Sequence, residues 1–134
     1  MTAIQFIGRS FAVAALLLGA VLVPTSANAE GAETRLNLTV QDLHGQTAPE
    51  TATLTCEPAG GSHPAASDAC AILVQAAGNI ADVPTQSPNA TCPLIWRPVA
   101  VTTTGLWNGT PIDYSKTFPN DCVLRSELGA IFDF

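Results

Sequence analysis

Residues 97–118 read RPVAVTTTGLWNGTPIDYSKTF, and at their centre stands Asn108–Gly109, the pair best suited to a two-residue type I′ turn, whose two central positions need φ > 0. Val99 and Val101 alternate before the turn and Ile112, Tyr114 and Phe118 after it. One face of a hairpin can therefore pack on a helix while Thr102, Asp113 and Lys116 stay in water. Working outward, TRLNLTVQ (34–41) and ETATLTC (50–56) also alternate, with Leu36, Leu38 and Val40 in the first and Ala52, Leu54 and Cys56 in the second, and read as half-buried strands. Gly45 and Pro49 mark the segment between them as an ordinary loop. GGSHPAASDACAILVQAAGN (60–79) predicts a helix that opens near Ser62 and Pro64 and closes at Gly78–Asn79, with Ala65, Ala69, Ile72, Leu73 and Ala76 on one face. GAIFDF (129–134) alternates as well and is expected to be a final strand.

At the other end of the chain, Arg9 precedes the apolar run Phe11–Val23 and then Ala27-Asn28-Ala29. The run is shorter than the roughly 17–25 residues of a membrane span, so residues 1–29 read as a cleaved signal peptide and residues 30–134 as one secreted domain. Taking Arg9 from the five basic side chains leaves four against eleven acidic ones. That balance argues against nucleic acid or an anionic membrane as partner. All four cysteines lie beyond residue 29, and in an oxidising compartment an even count implies two disulfides with three possible connectivities. We take the sequence-neighbour pairing, Cys56 with Cys70 and Cys92 with Cys122.

Catalytic constellations are poor. His44 sits in a Gly-containing turn, His63 precedes Pro64 at a helix entrance where capping or surface exposure is the simple reading, and no nucleophile elbow occurs. Cys56, His63 and Cys70 match no zinc spacing, and paired cysteines cannot ligate as thiolates. The expectation is a protein that is not an enzyme and holds neither cofactor nor metal.

TCPLIWRPV (91–99) stands apart. Leu94, Ile95 and Trp96 carry the bulk of a buried strand start, but Pro93 and Pro98 lack the N–H a central strand needs and bias Cys92 and Arg97 to extended backbone. An extended peptide tethered at Cys92, with an apolar residue after Cys-Pro, is the form a protease cleft accepts as substrate. Held rigidly after attack, it inhibits.

At these residues the chain resembles the Streptomyces-type subtilisin inhibitor family. The resemblance is carried by TLTCEPAGGSHPAASDAC (53–70), CPLIWRPV (92–99), GLWNGTPIDYSKTFPNDC (105–122) and the closing FDF (132–134). It implies an α+β two-layer sandwich, a five-stranded antiparallel sheet with two helices, and a homodimer, and it supports the pairing chosen above. It further implies that Leu94 enters the primary pocket of subtilisin-like, and secondarily chymotrypsin-like, serine proteases. Leu94–Ile95 would then be the reactive bond, Thr91, Cys92, Pro93, Trp96 and Arg97 the rest of the binding loop, and Asn120 a supporting side chain. Thr91 stands where a larger apolar residue would better fill subtilisin's outer pocket, and Arg97 where the family can carry an acidic one. The competing expectation is a secreted structural or binding module that keeps the scaffold without inhibiting.

Overall fold

The computed structural model describes residues 33–45 and 47–134; the expected signal peptide lies outside them. Four strands, β1 (Arg35–Asp42), β2 (Glu50–Thr55), β3 (Val99–Trp107) and β4 (Thr110–Phe118), form an antiparallel sheet in the order β2-β1-β3-β4. Two helices, α1 (Ala66–Gln75) and α2 (Asp121–Leu128), accompany it, with short 3₁₀ turns at Ile80–Asp82 and Gly129–Phe132. The α+β class, both helices and both disulfides agree with expectation; among the described residues the sheet has four strands, not five.

The β3–β4 hairpin turns at Asn108 and Gly109 with φ of 46° and 77°, as a type I′ turn requires. Its register pairs Val99 with Phe118 and Val101 with Lys116, and β1 places Val40 beside Val101 and Leu38 beside Thr103. This sets Leu36, Leu38, Leu54, Val99, Val101 and Phe118 in one core with Leu73, Leu124, Leu128 and Ile131. Lys116 stays exposed as expected, but not on the solvent face of the sheet. Its parity puts it on the helix-facing side, where its ammonium lies 2.6 Å from the Glu127 carboxylate of α2 and 4.5 Å from the centre of the Phe118 ring.

The GAIFDF segment is not a strand. The chain turns at Gly129 into the 3₁₀ segment, which buries the adjacent residues Ile131 and Phe132 together. A strand sends neighbouring side chains to opposite faces and cannot do this. His63, expected at a cap or on the surface, is 5% exposed. Its Nδ1 accepts from Ala65 N (3.0 Å), which leaves Nε2 to donate to Ile131 O (3.0 Å) and fixes the tautomer. Phe134 packs edge-on against the imidazole.

α1 starts at Ala66, later than Ser62 and Pro64 suggest, because Ser62 is engaged elsewhere: its Oγ accepts from Thr53 N (2.9 Å). Thr53 O accepts from His63 N, and Thr55 exchanges both backbone hydrogen bonds with Gly60. Residues 60–63 thus cover the outer edge of β2. α1 closes at Gly78, whose N–H donates to Leu73 O at φ +80° with the Trp107 indole packed on its Cα. A Cβ there would lie 2.1 Å from Trp107 Cγ. Gly78→Ala is expected to cost about 1–3 kcal/mol from overpacking and a further 1–2 kcal/mol or so from the left-handed backbone. A denaturant titration that placed the variant within 0.5 kcal/mol or so of the parent would contradict this packing, since that is the range of changes remote from any such feature.

Candidate functional site

Between the 3₁₀ turn at Ile80–Asp82 and β3 the chain forms no regular secondary structure, yet it is fastened along its length. Gln86 N and Ser87 N donate to the carbonyls of Glu127 and Ser126 at the end of α2, and Ala90 N closes a turn onto Ser87 O. The Cys92–Cys122 disulfide (Cα–Cα 5.6 Å) ties the next segment to the first turn of α2. Beyond it, Arg97 N donates to Pro119 O and Leu43 N to Pro98 O, both at 2.9 Å. The other disulfide, Cys56–Cys70, joins the end of β2 to α1.

At the centre of this segment Leu94 is fully exposed (106%), with Trp96 70% and Ile95 48% exposed. Thr91, Pro93 and Arg97 are exposed too, and Cys92 is half-buried. The bulk at 94–96 is therefore displayed and not buried at a strand start; Pro98 stands immediately before β3, where its missing N–H costs no ladder bond.

Asn120, 5% exposed, governs the loop from below. It is the N-cap of α2: its Oδ1 accepts from Val123 N at 3.0 Å. That bond fixes the amide plane and turns Nδ2 outward, where its two hydrogens donate to Pro93 O and Ile95 O, each at 3.1 Å. These carbonyls flank Leu94. One buried side chain thus holds the backbone on both sides of the most exposed residue of the loop. Pro93, Ile95, Trp96, Pro119 and Val123 complete the apolar hollow, of about 270 Å³, around this amide.

On the C-terminal side a second hollow of about 310 Å³ is lined by Asp42, Ile95, Arg97, Val99, Asn120 and Asp121. Asp42 is a participant that sequence reasoning passed over. Its Oδ1 accepts from His44 N (2.7 Å) and Gly45 N (3.2 Å). Those two bonds, with a smaller contribution from the Arg97 charge, hold its carboxyl below the usual carboxylate range. A depressed folded pKa contributes stability that is present above the unfolded value and lost as the pH falls through the folded one, so the turn is intact at neutral pH. Nothing in DLHGQTAP signals a neighbour in space, because the group that accepts from Leu43 N is the Pro98 carbonyl, more than fifty residues away.

Among the described residues no three metal-ligating side chains gather, and no helix is long and apolar enough to cross a membrane.

A two-layer α+β domain, stapled by two disulfides and displaying one extended, underpinned loop, defines a class of tethered-loop scaffold. Comparison with known proteins gives the class its family. The subtilisin inhibitor-like family model matches residues 32–120, and the chain belongs to that family. The chain is 38% identical over 125 residues to a subtilase-type protease inhibitor of Streptomyces fradiae, covering 86% of this chain and 88% of the relative. To a subtilisin inhibitor of Streptomyces violaceus it is 35% identical, over 94% of this chain and 92% of the relative. Among solved structures it resembles Streptomyces caespitosus sermetstatin, crystallised in complex with Bacillus licheniformis subtilisin, with a TM-score of 0.60 and 30% identity over 76% of this chain and 99% of that one.

Proposed function

We propose that this protein is a secreted inhibitor of subtilisin-like serine proteases that binds them as a substrate does, through Thr91–Arg97, with Leu94–Ile95 as the reactive bond. The observation that carries the reading is the Asn120 amide gripping Pro93 O and Ile95 O on either side of an outstretched Leu94. A protease needs an extended peptide with its side chain free to enter the primary pocket, and this loop presents one already ordered, so little conformational entropy is lost on binding. When the protease serine attacks Leu94 C=O, the leaving amine of Ile95 stays bonded through its own carbonyl to Asn120, and Arg97 N to Pro119 O. The acyl-enzyme then faces an amine at high effective concentration and reforms the bond more often than water enters.

Secretion is supported by the apolar run before residue 30 and by two disulfides, which persist in oxidising compartments. A homodimer is what the family resemblance implies, and the sheet face opposite the core, where Thr51, Thr53, Thr102 and Thr104 are exposed, is open to a second copy.

Incubation with catalytic amounts of subtilisin is expected to nick one bond, giving a new N-terminus at Ile95, while Cys92–Cys122 keeps the fragments together under non-reducing conditions. A first cut between Asn79 and Asn89, with the Leu94 bond intact in active inhibitor, would refute the assignment. Stoichiometric titration of subtilisin separates inhibition from a scaffold that only binds or supports, since such a module leaves protease activity untouched.

A further inference from the structure

Of the six large apolar side chains exposed among the described residues, four gather at one end of the molecule, while Val74 and Leu106 lie toward the Asn108–Gly109 turn. Leu94, Ile95 and Trp96 lie in the loop, and Leu43, 52% exposed, stands on the turn bonded to the loop's C-terminal leg. That turn is built, not incidental. Asp42 caps the N–H groups of His44 and Gly45, and on its far side Gln41 Nε2 donates to Asp42 O (3.1 Å) and Thr47 O (2.9 Å). The shape so fixed directs Leu43 N at Pro98 O, four residues past Leu94, and leaves the side chains of Leu43 and His44 in solvent. Asp42 also lines the same hollow as Ile95 and Arg97, so the turn and the C-terminal leg form one continuous surface.

We propose that the Asp42–Gly45 turn is a second protease-facing element, in which Leu43 packs against apolar surface at the exit of the cleft and Asp42 is the positioning residue that holds the turn there. The inference rests on the loop reading given above. It names the occupant as the same protease, engaged just beyond the residues that follow the reactive bond, because the turn is continuous with that leg and shares its apolar character.

The test is the inhibition constant for subtilisin with each variant's melting temperature alongside. Leu43→Ala is expected to weaken inhibition about five- to tenfold, the worth of burying part of a leucine, with the melting temperature unchanged because the side chain is half in solvent. Asp42→Ala is expected to weaken inhibition and speed cleavage at Leu94–Ile95. Asp42→Asn is expected to restore both, since an asparagine Oδ1 accepts the same two N–H bonds. Constants within twofold of the parent for Leu43→Ala and Asp42→Ala, in a protein that still titrates subtilisin stoichiometrically, would overturn the inference and leave the loop reading standing. A loss confined to Asp42→Ala would make the turn a brace only and overturn the contact. Failure of the parent to inhibit at all would instead overturn the loop reading.

Discussion

Leu94→Lys is expected to turn the protein into a trypsin inhibitor, tightening its constant for that enzyme by roughly 30- to 5,000-fold, the worth of a newly paired buried charge of some 2–5 kcal/mol. The parent should inhibit trypsin poorly. The loop's only basic residue is Arg97, and Pro98 follows it with no N–H and a ring that hinders cleavage. Subtilisin should be inhibited well and chymotrypsin-like enzymes less so, because Leu94 suits an apolar pocket, where complete burial is worth about 1.5–3 kcal/mol. The substitution should leave the melting temperature alone. Leu94 touches solvent on every side, and the backbone around it is held by Asn120 without help from its side chain. If neither the trypsin nor the chymotrypsin constant moves, while a control at α1 such as Gln75→Lys changes both, Leu94 is not the residue that enters the pocket.

Removing the Cys92–Cys122 bridge should change the outcome of the encounter more than the encounter itself. The double variant Cys92→Ser/Cys122→Ser is expected to lose about 3–4 kcal/mol of stability from a loop of this length, lowering the melting temperature by 12 °C or more. Below that temperature it should become a substrate, with continuous turnover at Leu94–Ile95 in place of stable inhibition. Cys56→Ser/Cys70→Ser supplies the control, because it costs a comparable amount by the same reasoning yet leaves the reactive loop tied to α2. At a temperature where both variants are folded, only the first should be degraded. Equal inhibition by the two would show that the bridge at Cys92 stabilises the domain without contributing to the mechanism.

Much of this architecture is legible in the residues. The Asn108–Gly109 pair announces its hairpin, the alternation of Leu36 and Leu38 and of Ala52 and Leu54 marks two strands, and the two prolines around Leu94–Trp96 point to display instead of burial. What escapes is whatever depends on a distant backbone group. Ser62 looks like a helix cap until Thr53 is seen to occupy its hydroxyl. His63 reads as a surface residue because its partner, Ile131 O, lies 68 residues on. Ala130, Phe132 and Phe134 mimic strand alternation in so short a segment that a helical turn fits them equally. Asn120 is identified as a loop support by resemblance, but its second task, capping α2, is what orients the amide, and the short run that follows it carries no helix expectation of its own.

The edges of the sheet bear on how the molecule behaves in a crowd. An open strand edge invites further strands to add, which is the usual route to fibrous or amorphous aggregates. Here Gly60–His63 occupies the outward hydrogen-bonding groups of Thr53 and Thr55 on β2, and Lys116 sets a charge on the inward face of β4, the other edge strand. Both devices discourage edge-on growth. A solution concentrated many-fold should accordingly stay clear and free of dye-binding fibrils.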